Sequence, residues 1–267
     1  MTAFEALILG LTQGAAEFLP ISSSGHLVIV PAIFGWEKPA VAFDVLLHLA
    51  TLLAVIVYFR HDLLRMIRGF FSRDPELAAA RKLSWLIIIG TIPTGLIGLA
   101  FADVFESLFE SVTYVGVFLL VTAAILTLSE WLSRQRTHDP ADMRWWQAAL
   151  IGVAQGAAIA PGISRAGATM AAGLSVGLDR EQAARFSFLL SIPSILLAGV
   201  WGARSLLGGG VEMPALGVIA IGFVAAAVSG YAAIVGLLAY LRTRPLYPFA
   251  IYVALAGIGI LVWQLAG

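Results

Sequence analysis

The absence of cysteine sets the first limits on this chain. Without cysteine there is no disulfide framework, no thiolate nucleophile and no zinc–thiolate site. Charged residues are also scarce, at 12% of the 267 residues, whereas a soluble domain carries about 25%. Lys and Arg together number 16, as do Asp and Glu, so no excess of positive charge suggests a nucleic-acid partner. We therefore expect no thiol chemistry and no nucleic-acid binding.

Hydrophobic residues are abundant instead, at 60% of the chain. An aqueous fold cannot bury so much apolar surface, so the composition predicts an all-α polytopic membrane protein. A transmembrane helix needs about 20 apolar residues. Six stretches approach or exceed that length: residues 40–58, 83–101, 112–129, 186–203, 213–241 and 245–266. The first segment, residues 1–20, has no basic n-region and no convincing cleavage site, so we expect it to remain in the mature protein.

Two further apolar segments are interrupted by proline. Residues 2–34 break at Pro20, and residues 145–178 break at Pro161-Gly162. One interpretation of each is a spanning helix with a proline kink. The other is a re-entrant hairpin of two short helices, whose polar break lies near the membrane midplane and lines a cavity. We favour the re-entrant hairpin for both segments.

The two broken segments also resemble each other in sequence. Residues 10–16 align without a gap on 152–158, Ile21-Ser22 on Ile163-Ser164, Gly25 on Gly167, and 43–48 on 186–191. This predicts one integral-membrane domain over residues 1–267, with a first repeat at about 1–132 and a second at about 145–267. Each repeat is a hairpin plus three crossings, and three is odd, so the second repeat enters the membrane inverted. Inverted repeats place the functional site where the two breaks meet.

The loop charges predict an orientation. Three connections carry the basic residues: Arg60, Arg65, Arg68, Arg73, Arg81 and Lys82 in the first, Arg134, Arg136 and Arg144 in the second, Arg242 and Arg244 in the third. The proposed order places all three on one side, which the positive-inside rule makes the cytoplasm. The connection with Asp103, Glu106 and Glu110 then lies outside, as do both termini. We expect a multi-pass protein of the bacterial inner membrane.

Ionisable groups inside apolar helices are costly and indicate function. Gln13 and Glu17 stand four residues apart on one helix face, and Asp44 and His48 have the same spacing. The remaining polar residues of the two breaks are Ser22, Ser23, Ser24, His26, Ser164, Arg165 and Thr169. Each has a structural alternative: helix capping for the serines, packing for His26, a structural ion pair for Arg165, and a polar seam between helices for Asp44 with His48.

The same residues suit phosphoryl transfer, which needs positioning and neutralisation of oxygen charge. Helices that begin after the breaks favour a phosphate at their N-termini, and Arg165 binds phosphate oxygens with a forked pair of bonds. We assign phosphate binding to Ser22, Ser24, Gly25, Ser164, Arg165 and Thr169, and a secondary polar face to Asp44 and His48.

Four residues are the candidate catalytic groups: Glu17, Ser23, His26 and Arg165. Glu17 suits a general base, or with Gln13 a ligand of a divalent cation, Mg²⁺ or Ca²⁺. His26 suits protonation of a leaving group or attack on phosphorus. Whether Ser23, His26 or a water is the nucleophile stays open.

The segment from Gln13 to His26, read with the Pro161–Thr169 segment, resembles the undecaprenyl pyrophosphate phosphatases of the bacitracin-resistance type. The resemblance covers nearly the whole chain. It implies a metal-dependent membrane hydrolase that converts undecaprenyl (C55) pyrophosphate to the monophosphate, with its site facing the periplasm. The family's essential Glu falls on Glu17, and its Ser, His and Arg fall on Ser23, His26 and Arg165.

Two departures from that family are visible. Many members have a second Glu where Gln13 stands and a Ser where Ala166 stands. The implied partners are a polyprenyl pyrophosphate lipid and membrane lipids, while a homodimer stays open. A flippase for an anionic polyprenyl lipid is the alternative function, because inverted repeats are typical of transporters. The acid-phosphatase superfamily is excluded, since its further His after Ser-Arg is missing: no His follows Arg165.

Overall fold

The fold is helical throughout the part of the chain that the computed structural model describes, residues 1–109, 111–133, 139–207 and 214–266. Twelve α-helices follow one another there: α1 Ala3–Phe18, α2 Ser23–Phe34, α3 Val41–Tyr58, α4 Arg60–Phe71, α5 Ala78–Ala100, α6 Ala102–Leu108, α7 Val112–Leu132, α8 Trp145–Ala157, α9 Arg165–Ser175, α10 Arg180–Leu207, α11 Leu216–Leu241 and α12 Tyr247–Ala266. Four residues used in the sequence predictions, Glu110, Arg134, Arg136 and Met213, lie outside the described residues.

Six of the described helical segments are long and apolar enough to cross a membrane. They are Val41–Tyr58, Pro75–Ala100, Val112–Leu132, Arg180–Val200, Leu216–Leu241 and Tyr247–Ala266. Each contains one of the six predicted spans or most of it, and the prediction of an all-α polytopic membrane protein is confirmed. The helices extend beyond the predicted limits at several ends, because polar residues such as Arg180 and Glu181 continue the helix past the apolar run.

The remaining helices include two short pairs, α1 with α2 and α8 with α9. Their lengths of 16, 12, 13 and 11 residues correspond to roughly 16–24 Å, less than the ~30 Å hydrocarbon core of a bilayer. The helices of each pair are separated by the predicted proline breaks, so neither segment is one kinked helix. Insertion of the two pairs as re-entrant hairpins stays a prediction.

Close contacts at glycines hold helices of the two predicted repeats together. Helix α1 packs along α11, where a Cβ atom on Gly10 would overlap the carbonyl oxygen of Gly222. Helix α8 packs along α5, where a Cβ atom on Gly152 would overlap the carbonyl oxygen of Gly90. Small residues allow such backbone contact between helices in membranes. The two contacts are equivalent under the predicted duplication.

The connection between α3 and α5 differs from the predicted basic loop, because it contains the amphipathic helix α4. Its apolar residues Leu63, Met66, Ile67 and Phe70 recur at helical spacing, and they face α5 and α10 across an apolar groove of 690 Å³. The Ser84 hydroxyl donates to the Met66 carbonyl at 3.1 Å and fixes α4 on α5. The connection between α5 and α7 likewise contains a helix, α6.

A partly buried ion pair joins the ends of three helices, α7, α10 and α12, on the side predicted to be cytoplasmic. Arg180, at the start of α10, donates to both carboxylate oxygens of Glu130 near the end of α7, with its shortest contact at 2.6 Å. The Glu130 carboxylate also accepts from the backbone amide of Leu246, just before α12, at 2.7 Å. The Glu130 side chain is 1% exposed, so these contacts, rather than water, satisfy its oxygens.

Candidate functional site

The two broken hairpins meet at the carboxylate of Glu17. One oxygen, Oε1, accepts from Arg165 Nη2 at 2.8 Å. The other, Oε2, accepts from Ser23 Oγ at 2.6 Å and from Gln13 Nε2 at 2.9 Å. The His48 Nε2 atom lies 3.7 Å from the same oxygen. Glu17 is only 6% exposed, so its charge is compensated by these neighbours rather than by bulk water.

The first break brings Ser23 back to Glu17. Helix α1 ends at Phe18, Leu19 turns into an extended conformation, and α2 begins at Ser23. Between them Ser22 has a φ of 72°, the one positive φ of a non-glycine residue in the described parts of the chain. Such a conformation costs about 1–3 kcal/mol and is retained at functional sites. It reverses the chain so that the first residue of α2 faces the last turn of α1.

The second break is anchored by α7. Thr122 on α7 donates its hydroxyl to the Gly162 carbonyl at 2.9 Å and accepts the Ser164 amide at 3.1 Å. Gly162 has a φ of 97°, which L-residues rarely adopt, and a Cβ atom there would lie 2.6 Å from the Val115 carbonyl oxygen. Helix α9 begins with Arg165, and this anchored turn directs its guanidinium at Glu17.

Unpaired backbone amides lie at both breaks. Ser22 and Ser164 cap α2 and α9 by accepting from the amides of Gly25 and Gly167, so these two serines do serve as helix caps. The preceding amides have no hydrogen-bond acceptor among the described residues; they are those of Ser23, Ser24, Arg165 and Ala166. Free amides at helix N-termini form an anion site. The side chains of Ser23, Ser24 and Arg165 are partly exposed, so a ligand reaches them.

His26 points away from Glu17. Its Nδ1 lies 2.7 Å from the Ser22 carbonyl oxygen, and its Nε2 lies 2.7 Å from the hydroxyl of Tyr252 on α12. The structure therefore brings His26 into contact with the first break but not with the carboxylate cluster. Tyr252 was not among the predicted site residues, because it lies in an apolar span where a tyrosine has no distinguishing neighbours in sequence.

The side chains of Asp44 and His48 lie in different environments. The His48 Nδ1 atom donates to the backbone carbonyl of Asp44 at 2.8 Å, which turns Nε2 towards Glu17. The Asp44 side chain does not bond His48, and its Oδ1 is buried without a hydrogen-bond partner in the described structure. His48 thus joins the site, whereas Asp44 forms a separate polar position one helical turn away.

Thr169 supports Arg165 rather than facing the breaks. Its hydroxyl contacts Ser187 Oγ at 2.6 Å and donates to the Arg165 carbonyl at 2.8 Å. Ser187 on α10 also offers its backbone carbonyl to Arg165 Nη1, at 3.4 Å. Both side chains are buried. Ser187 was missed in the sequence because it interrupts an apolar run like many other small residues.

The donor set around Glu17 fits a hard divalent cation only in part. No group of three or more His, Asp or Glu side chains that would cage a metal is present among the described residues. Gln13, however, has a buried Oε1 atom without a hydrogen-bond partner in that part of the chain. One carboxylate and one amide oxygen match the way Mg²⁺ binds, through one or two protein ligands with substrate phosphates and water completing the shell.

Comparison with known proteins gives a consistent result. The family described as "Bacitracin resistance protein BacA" matches residues 6–259. Proteins named "Undecaprenyl-diphosphatase" are similar over nearly the whole chain. The one from Methanosphaera stadtmanae is 42% identical over 95% of each chain. The one from Carboxydothermus hydrogenoformans is 44% identical over 100% of this chain and 99% of its own, and that from Halothermothrix orenii is 45% identical over 98% of each. This chain, with its motifs around Glu17 and Arg165, therefore belongs to the bacitracin resistance protein BacA family.

Proposed function

We propose that this protein hydrolyses the terminal phosphate of a polyprenyl pyrophosphate, with undecaprenyl (C55) pyrophosphate as substrate and undecaprenyl phosphate as product. The observation that carries the proposal is the convergence of Glu17, Ser23 and Arg165 beside the four unpaired helix amides. The name shared by relatives that are 42–45% identical over the full chain supports the same reaction. It also favours hydrolysis over the flippase function.

Glu17 is the proposed general base. Its Oε2 accepts a hydrogen bond from Ser23 Oγ, with the two oxygens 2.6 Å apart, within the distance at which a general base acts. The attacking oxygen is that of a water beside Oε2, which displaces undecaprenyl phosphate and gives inorganic phosphate directly, or that of Ser23, which displaces undecaprenyl phosphate to form a phosphoserine that water then hydrolyses. The Nε2 atom of His48 lies 3.7 Å from Glu17 Oε2, close enough for an ion pair in the imidazolium form of His48.

Arg165 and the helix amides form the proposed phosphate cradle. A guanidinium has five N–H donors. Arg165 donates from Nη2 to Glu17 Oε1 at 2.8 Å and, more weakly, to the Glu17 carbonyl at 3.5 Å, and from Nη1 to the Ser187 carbonyl at 3.4 Å. The others remain for the oxygens of the transferred phosphoryl group, whose charge spreads in the transition state. The amides of α2 and α9 add donors that need no reorganisation.

A divalent cation, Mg²⁺ or Ca²⁺, is the proposed cofactor. Glu17 and Gln13 would hold it, and it would supply neutralisation of the pyrophosphate charge. Gln13 already donates its amide to Glu17, which leaves its Oε1 free for this role.

The proposed setting is the bacterial inner membrane, with the site open to the periplasm. The basic residues of α4 and of the α11–α12 connection are then cytoplasmic, as the positive-inside rule requires. The prenyl tail would leave the site sideways, into an apolar groove such as the one lined by α4, α5 and α10. Membrane lipids cover the remaining apolar surface.

Phosphate release from pure protein in detergent tests the reaction. The substrates are prenyl pyrophosphates of several lengths, each with and without a chelator. A hydrolase releases inorganic phosphate without a membrane gradient, and chelation abolishes release if the cation is required. A protein that releases none under any metal, yet moves the lipid across vesicles, is a flippase and refutes the proposal.

Two variants separate the roles within the site. Glu17→Gln keeps the shape of the side chain but removes charge and basicity, so it should abolish release while the protein stays monodisperse. Gln13→Ala removes only an amide and should be milder, with a raised requirement for metal. Full activity of Glu17→Gln at saturating metal would remove the general base and the metal ligand together.

A further inference from the structure

We propose that Tyr252 is a positioning residue that holds the first break in its reactive geometry by acting through His26. The inference rests on the proposed hydrolysis, because it assigns a role within the same site. It concerns a residue on α12, more than two hundred positions from the break in sequence. The link between them is a chain of two hydrogen bonds, from Tyr252 to His26 and from His26 to Ser22.

The contact between Tyr252 and His26 involves both hydrogen bonding and stacking. The hydroxyl of Tyr252 lies 2.7 Å from His26 Nε2. The two rings are nearly parallel, with an interplanar angle of 12° and centroids 5.7 Å apart. Two simultaneous constraints fix both the position and the rotation of the imidazole ring. His26 is 9% exposed and Tyr252 is 46% exposed, so the contact is buried from the side of His26.

The tautomer of His26 follows from its other neighbour. The Ser22 carbonyl only accepts hydrogen bonds, so the Nδ1 atom 2.7 Å away carries the proton. In the neutral ring Nε2 then has a lone pair, and the Tyr252 hydroxyl donates to it. The lone pair that would attack phosphorus is therefore occupied by Tyr252. This argues against His26 as the nucleophile and leaves that role to Ser23 or water.

The two hydrogen bonds stabilise the backbone conformation of Ser22. The φ of Ser22 is 72°, which is strained for a residue with a side chain. His26 binds the backbone carbonyl of this same residue. The next residue, Ser23, bonds Glu17 at 2.6 Å. A fixed Ser22 carbonyl thus fixes the orientation of the Ser23 hydroxyl and of the unpaired amides behind it. Tyr252 stabilises that orientation from a helix outside both hairpins.

Tyr252→Phe is the direct test, since it removes only the hydroxyl and retains the ring that stacks on His26. One neutral hydrogen bond corresponds to about a tenfold change in rate. We expect kcat for phosphate release to fall about tenfold while KM changes little. Tyr231→Phe is the matched control: its ring packs on Tyr58, and its hydroxyl makes no hydrogen bond within the described residues. It should retain full activity.

A double-mutant cycle distinguishes action through His26 from an independent role. His26→Phe removes both ring nitrogens and keeps a flat ring in place. If Tyr252 acts through His26, the double variant is no slower than His26→Phe alone. Additive losses in the double variant, or wild-type turnover in Tyr252→Phe, would overturn the inference.

Nitrogen NMR of ¹⁵N-histidine-labelled protein gives a readout that does not depend on activity. The chain has 4 histidines, and the His26→Phe variant assigns the His26 resonances. Wild-type protein should show His26 protonated at Nδ1, with an Nε2 resonance that moves in Tyr252→Phe and is unchanged in Tyr231→Phe. An unmoved resonance refutes the contact. Wild-type protein that releases no phosphate but shows the shift would refute the hydrolase proposal and keep the contact between the two residues.

Discussion

Replacing Arg165 by lysine tests how much of the reaction depends on the forked shape of the guanidinium. The variant keeps the positive charge beside Glu17, so the buried carboxylate retains a counter-ion and the fold should persist. An ammonium group, however, cannot bond Glu17 and two phosphate oxygens from fixed positions in one plane. The substitution therefore separates charge from geometry at one position.

The expected magnitude follows from the contacts of Arg165. Its bond to Glu17 Oε1 is 2.8 Å long, while the contact with Ser187 is 3.4 Å, so the carboxylate supplies most of its fixation. Losing one preorganised charged contact to the transition state costs on the order of 3 kcal/mol, or roughly a hundredfold in kcat/KM. Arg165→Gln instead leaves Glu17 buried without its cation, and breaking such a pair costs about 3–5 kcal/mol of stability.

The assay is phosphate release over a range of substrate concentrations, with thermal stability in detergent measured in parallel. Arg242→Lys is the matched control, because Arg242 also pairs with a carboxylate, that of Glu181, but is 66% exposed. Exposed pairs contribute about 0–1 kcal/mol, so this variant should match wild type in rate and stability. A folded Arg165→Lys protein with near-normal turnover would reduce Arg165 to a structural partner of Glu17.

Three further predictions concern the fold. Glu130→Gln should lower the thermal midpoint in detergent, because it removes the charge from the partly buried ion pair that joins α7, α10 and α12, at a cost of about 1.5–3 kcal/mol; an unchanged midpoint would contradict that role. Arg68→Cys should resist an impermeant thiol reagent in intact cells while Asp103→Cys reacts, and the reverse pattern would invert the topology. Gly152→Ala should destabilise the α5–α8 contact by about 1–3 kcal/mol, whereas Gly236→Ala, with open space at its Cβ, should be tolerated when both are compared by thermal aggregation.

Much of the fold and the centre of the site could be predicted from the sequence. The six spans follow from apolar length, and the two helix breaks follow from Pro20 and Pro161-Gly162, which helix geometry does not accommodate without a break or kink. Glu17 and Arg165 stand out because ionised groups in apolar segments need a partner. The structure pairs them with each other across the two hairpins.

The features of the fold and of the candidate site that were not predicted depend mostly on contacts between helices far apart in sequence. Tyr252, Thr122 and Ser187 are ordinary residues of membrane helices, and only packing shows that they contact His26, Gly162 and Arg165. Helix α4 was not predicted, because its many charged residues indicated a loop, although its apolar residues recur with a helical period. The separation of Asp44 from His48 could not be foreseen either, because a spacing of four residues does not say whether a side chain bonds its neighbour's carboxylate or its backbone.

The contact between Glu17 and Arg165 also shows how the two predicted repeats of one chain can contribute different residues to one site. Under the predicted duplication, the same alignment that places Ser22 on Ser164 places Glu17 on Ile159, Ser23 on Arg165 and His26 on Ala168. Two identical halves related by a two-fold axis would have to present the same side chains from both sides, so a base would face a base. A single continuous chain removes that constraint. In the proposed reaction one predicted repeat would contribute the base and the hydroxyl and the other the cation, so the duplicated chain would hold one reaction centre instead of two.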